Sequence, residues 1–108
     1  MTVMRMLTER YVQVFMAPSH LVGSLEFYGS GALEQVRENR KHYRYTGMIQ
    51  TDLVGEEAAE AVFGLSNDPC MEDMKDAMGW VGRSLSVGDI VMVDGVQYVC
   101  LPVGWRIL

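Results

Sequence analysis

The stretch SVGDIVMVDGVQYVC, residues 86–100, constrains this chain more than any other. Asp94-Gly95 stands between two β-rich runs, the strongest short-range signal for a two-residue type I′ turn, whose central residues both need positive φ. Such a turn fixes the register: Val93 faces Val96, Met92 faces Gln97, Val91 faces Tyr98 and Ile90 faces Val99. One side of the hairpin then carries Val91, Val93, Val96, Tyr98 and Cys100. The other carries Ile90, Met92, Val99 and Leu101, with Gln97 its polar member. A hairpin apolar on both sides would expose a sizeable hydrophobic patch if either side met water. The hairpin 88–101 is therefore expected at the centre of the fold or in an interface, the latter being a homodimer through the apolar hairpin.

The remaining elements follow from periodicity. RYVQVFMAP alternates, with Tyr11 and Phe15 on one side and Val12, Val14 and Met16 on the other, until Pro18 ends the pattern; this predicts a strand. SHLVGSLEFYGSG has three glycines and no period, and reads as a loop with a short strand near 24–28. SGALEQVRENR predicts a short helix capped by Ser30, with Leu33, Val36 and Arg37 on one face. HYRYTGMIQT alternates again, predicting a strand that points Tyr43, Tyr45 and Ile49 one way and His42, Arg44, Met48 and Gln50 the other.

The main helix is predicted at about 55–67, because Ala58, Ala59, Val62, Phe63 and Ser66 recur at helical spacing while Glu56, Glu57 and Glu60 favour its positive N-terminal end. Asn67 and Pro69 stop it. In CMEDMKDAMGW, Met71, Met74 and Met78 form a stripe at helical spacing, read as core filling on one further turn or two. Pro102 and Gly104 break the second hairpin strand, and GWRIL predicts a last short strand that returns Trp105 to the hairpin. The expected fold is a single α+β domain over 1–108: a mostly antiparallel sheet of about 4–5 strands, one main helix, and one or two short helices.

Charge is unevenly placed. The formal net charge is −5, yet residues 37–44 hold four bases (Arg37, Arg40, Lys41, Arg44) against one acid, a local +3. Residues 52–76 hold eight acids against Lys75 alone, a local −7. No apolar run approaches the roughly 20 residues that span a bilayer. Arg5, Glu9 and Arg10 fall where a signal peptide needs an apolar stretch, so no membrane association and a cytoplasmic location are expected. The methionines at 1, 4 and 6 leave three candidate starts.

Catalytic signatures are not met. His20 and His42 have no carboxylate or cysteine at a ligand spacing, and Cys70 and Cys100 are too few and too distant for a zinc site or disulfide framework. No metal or cofactor is expected, and Cys100 reads as core. GRSLSVG fits neither a nucleophile elbow nor a phosphate-binding glycine loop. Arg83, Ser84, Ser86 and Asp89 form a compact polar set, read as loop capping ahead of a ligand site. An enzyme would need a pocket joining that set to His20 or His42.

EEAAEAVFGLSND followed by GRSLSVGDIVMVDGVQYVCLPVGWRIL resembles the small proteins of phages, plasmids and other mobile elements related to the YodL-like group. Those share a helix of the type E-x-A-F-x-L-x-N, then R-S-x-S-V-G-D-V-V, a valine-rich hairpin and a closing G-[FW]. Ala61, Phe63, Leu65 and Asn67 roughly fill the first part, with Val62 shifting the local fit. Arg83, Ser84, Ser86, Val87, Gly88 and Asp89 fill the second, and Gly104 and Trp105 the close. The resemblance spans about half the chain, from roughly Thr51, and residues 18–42 have no counterpart. It implies a non-enzymatic accessory protein of a mobile element.

The expected function is binding of a host or element protein, in its sharpest form as an acidic inhibitor presenting Glu56, Glu57, Glu60, Glu72, Asp73 and Asp76 on one surface. The alternative is a single-stranded nucleic-acid-binding module using the basic and aromatic stretch 37–45, with Arg37, Arg40, Lys41, Arg44 and Tyr45 as contacts. The acidic total weighs against it.

Overall fold

The computed structural model describes residues 10–22, 29–77 and 79–108. Five antiparallel strands form one sheet in the order β2-β1-β3-β4-β5: β1 (Arg10–Met16), β2 (Arg44–Thr51), β3 (Ile90–Val93), β4 (Val96–Cys100) and β5 (Trp105–Ile107). Helix α1 (Ala32–Asn39) precedes β2, and α2 (Gly55–Asn67) and the short α3 (Glu72–Ala77) separate β2 from β3. The fold is α+β, as the patterning predicts. Among the described residues no helix is long and apolar enough to cross a membrane. The predicted short strand near 24–28 lies outside the described residues.

The hairpin is central. Its pairings are those dictated by the turn, Val93 with Val96 through Ile90 with Val99, and Asp94 and Gly95 adopt φ of 51° and 81°. β3 pairs on its other side with β1, and β4 with β5. Both faces are covered. Val91, Val93 and Cys100 pack with Val12, Val14 and Ala58, Ala59 and Val62 of α2. Ile90 and Val99 pack with Val36 of α1, Leu21 and Tyr43. Among the described residues both edges of the hairpin are paired within the chain and both its faces are packed, so its apolar character is accounted for by its central place in the sheet.

Three local expectations need correction. Ser30 does not cap α1: Gly31 occupies the cap position, and no side chain there accepts a helix N–H. In β2 the register slips, Val14 pairing with Gly47 but Phe15 with Tyr45, so Thr46 is an extra residue. This bulge reverses the alternation. Tyr45, opposite Phe15, and Met48, opposite Gln13, share one face, while Ile49, opposite Val12, turns to the α2 side. Nor does Met74 of the methionine stripe fill the core, being 51% exposed, while Met71 is half-buried and Met78 lies outside the described residues. Among the described side chains of α3 the buried one is Lys75, because its ammonium closes the α2 C-terminus by donating to the Ser66 carbonyl (3.0 Å) and pairs with Glu72 (3.0 Å).

Candidate functional site

The densest polar chemistry lies in the segment entering β3. Asp89 is wholly buried, and its carboxylate accepts four N–H bonds: Arg83 Nη1 (2.6 Å) and Nη2 (2.8 Å), the Ser86 amide (2.7 Å) and the Ala17 amide (2.8 Å). The Ala17 bond ties the end of β1 to a residue 72 positions away. Tyr43 donates its hydroxyl to the Gly88 carbonyl, and the Trp80 indole N–H donates to the Arg83 carbonyl (3.0 Å). The main helix is sewn to the same segment. Ser66 Oγ accepts from the Leu85 amide (3.1 Å) and Asn67 Nδ2 donates to the Leu85 carbonyl (3.1 Å). Among the described residues no buried side-chain nitrogen or oxygen lacks a partner.

This arrangement holds structure together and leaves no reactive group poised. The four donors fill the acceptor directions of the Asp89 carboxylate. Its hydrogen bonds hold Arg83 still more firmly protonated than usual, against the opposing effect of burial. Burial pushes the Tyr43 phenol well above its ordinary range, the Asp89 charge adding to that and Arg40 and Arg83 opposing it. Burial, with Asp89 and Glu60, pushes the Cys100 thiol up to about 12, far from the thiolate a nucleophile needs. Cys70 is exposed. Among the described residues no three His, Cys, Asp or Glu side chains gather as a metal site.

Two of the larger surface grooves among the described residues bear on function. The first, about 390 Å³, runs between the edge strand and the helical layer, lined by Ile49 and Thr51 of β2, Ala61, Val62 and Leu65 of α2, and Met74 of α3. The second, about 700 Å³, wraps the end of β2 and is lined by Ser19, His42, Arg44, Tyr45, Thr46 and Arg83, among others. It joins His42 to Arg83, half of what an enzyme would require, but Asp89 lies sealed beneath Arg83 and neither Ser84 nor His20 lines it.

The six acidic candidates are all exposed but do not share one surface. Glu60 leans to the β5 side, where it accepts from the Trp105 indole (2.8 Å), and Glu56 sits one turn before it on the same flank of α2. Glu72, Asp73 and Asp76 ride on α3, whose Met74 packs along the opposite flank. The basic candidates Arg37, Arg40, Lys41 and Arg44 fall on α1, the turn after it and the start of β2, but the register divides them: Arg40 stands over Phe15 on the α1 side, whereas Arg44 pairs with Met16, which packs on the α2 side. Sequence patterning missed Lys75, which sits among acids as if solvated, and the roles of Ser66, Tyr43 and Trp80, which depend on contacts distant in sequence. Compared with known proteins, the chain matches no family model, no curated protein and no solved structure.

Proposed function

We propose that this chain is a non-enzymatic accessory protein of a phage, plasmid or other mobile element, binding a host or element protein in the apolar groove beside β2. The observation carrying this reading is the groove itself, open where a folded monomer would ordinarily bury Met74 and Leu65. One wall is the edge strand, beside which an extended partner segment can lie. Acids neighbour its lining residues: Asp52 follows Thr51 of β2, Glu57 lies one turn before Ala61 on α2, and Asp73 precedes Met74 on α3. The complementary partner is a segment with apolar anchors flanked by lysine or arginine. Support for the mobile-element origin is the resemblance alone. Of its pattern residues, Asn67 bonds α2 to the segment entering β3, and Arg83 and Asp89 brace that segment internally, so the pattern reads as scaffold.

Affinity capture from a bacterial lysate, run in parallel on wild type, Ala61→Arg and Met74→Glu, tests the reading. Both positions are exposed, so both variants should fold. The expected result is a stoichiometric partner protein held by wild type and lost by both variants. Failure to capture one, or its retention by both, overturns the proposal.

A further inference from the structure

The half of the sheet face that α1 leaves uncovered combines exposed aromatics with fixed positive charge. On that face Tyr11 pairs with Gln50, Gln13 with Met48 and Phe15 with Tyr45. Tyr11 is 61% exposed and Tyr45 53%. Tyr45 belongs to this face because of the Thr46 bulge, and its ring meets Phe15 edge-on at 5.7 Å. The Arg40 guanidinium stands 4.5 Å over the Phe15 ring, and its Nε donates to Gln97 Oε1 (2.6 Å), which fixes a cation at the inner margin of the aromatic row. Around the outer margin, past Tyr45, the 700 Å³ groove continues onto Arg44 and His42.

We propose that this face binds single-stranded nucleic acid, bases stacking on Tyr45 and Tyr11 and phosphates meeting Arg40 on the face itself and Arg44 where the groove wraps the edge of β2. Charge complementarity decides the occupant. The net −5 does not describe this surface, because the acids of 52–76 belong largely to α2 and α3 on the opposite side of the sheet, whereas Arg40 stands over Phe15 on this side and Arg44 and His42 line the groove that continues from Tyr45. Four residues along a strand separate the two stacking positions by about 13 Å, a span of roughly two nucleotides. Stacking on tyrosine is tolerant of base identity, so weak sequence preference is expected. The proposal stands apart from the α2-side groove and needs no protein partner.

Fluorescence anisotropy with labelled octamers of uridine and of thymidine, and a duplex control, tests it on the full chain at 50 and 200 mM salt. Both single strands should bind more tightly than duplex, and affinity should fall with salt. Tyr45→Ala should weaken binding about 5- to 150-fold, the range for losing one base stack. Arg44→Ala should weaken it uniformly and lower the salt slope by about one. Met74→Glu, on the other side of the sheet, should bind as wild type does. Absence of binding at 50 mM salt with about 100 μM protein, the weak limit of non-specific affinity, would overturn the proposal. So would equal binding by Tyr45→Ala, or capture of a protein instead of nucleic acid through Tyr45.

Discussion

The two faces of the sheet solve the same problem unequally. On the α2 side, Val12, Val14, Val91 and Val93 meet Ala58, Ala59 and Val62 in a closed core. On the α1 side, an eight-residue helix covers Ile90 and Val99 but leaves Tyr11, Tyr45 and Met48 in contact with water. Small residues on a long helix let its backbone approach and seal a sheet; a short helix with two buried residues, Ala32 and Val36, seals half of one. Stability is thus expected to reside in the core between α2 and the sheet, the two proposed binding surfaces lying outside it, one in the groove at Leu65 and Met74 and one on the half-covered α1 side, with Asp89 joining the faces.

The comparison breaks first at the joint. Asp89→Ala removes the partner of Arg83 and strands the Ala17 and Ser86 amides, and is expected to cost about 3–5 kcal/mol in urea denaturation. A loss below about 1 kcal/mol would mean that the faces hold without it. Leu85→Ala, on the closed face, should cost about 2–4 kcal/mol by the same measurement. Alkaline pH probes both faces together. Tyr43 and Cys100 have folded pKa values above their unfolded ones, so their contribution is intact below about pH 8.5 and is lost as pH rises toward 12. Melting temperature followed from pH 7 to 11 should fall more gently in the Tyr43→Phe, Cys100→Val double variant than in wild type. The smallest effect is expected on the open face, where Tyr11→Ala and Met48→Ala should each stay within about 0.5 kcal/mol of wild type. A larger cost there would mean that the tyrosines are structural.

The same inequality explains what the sequence made legible. The hairpin was readable because its turn and its register are local, and because residues apolar on both sides admit few placements. The main helix was readable for a similar reason, its stripe being read correctly from Ala58 to Ser66. β2 was readable as a strand but not in its facing, since one extra residue at Thr46 leaves the composition unchanged and reverses every side chain beyond it. Arg83 to Asp89 was readable as capping, yet nothing local points Asp89 at Ala17. Lys75 resisted most: a lysine among four nearby acids, Asp68, Glu72, Asp73 and Asp76, reads as solvated, and it is buried because a helix C-terminus sits above it.

Strand order also has a consequence in time. β1 lies between β2 and β3, so its two neighbours are made about thirty and about eighty residues after it. When β2 emerges from the ribosome it can pair with β1, but a two-stranded ribbon is marginal in water. Its second neighbour, β3, is roughly forty residues later, a delay of about two to eight seconds at ordinary rates of synthesis. Through that interval Val12 and Val14 have no hairpin to pack beside, and the nascent chain is sticky on the face that ends up driest.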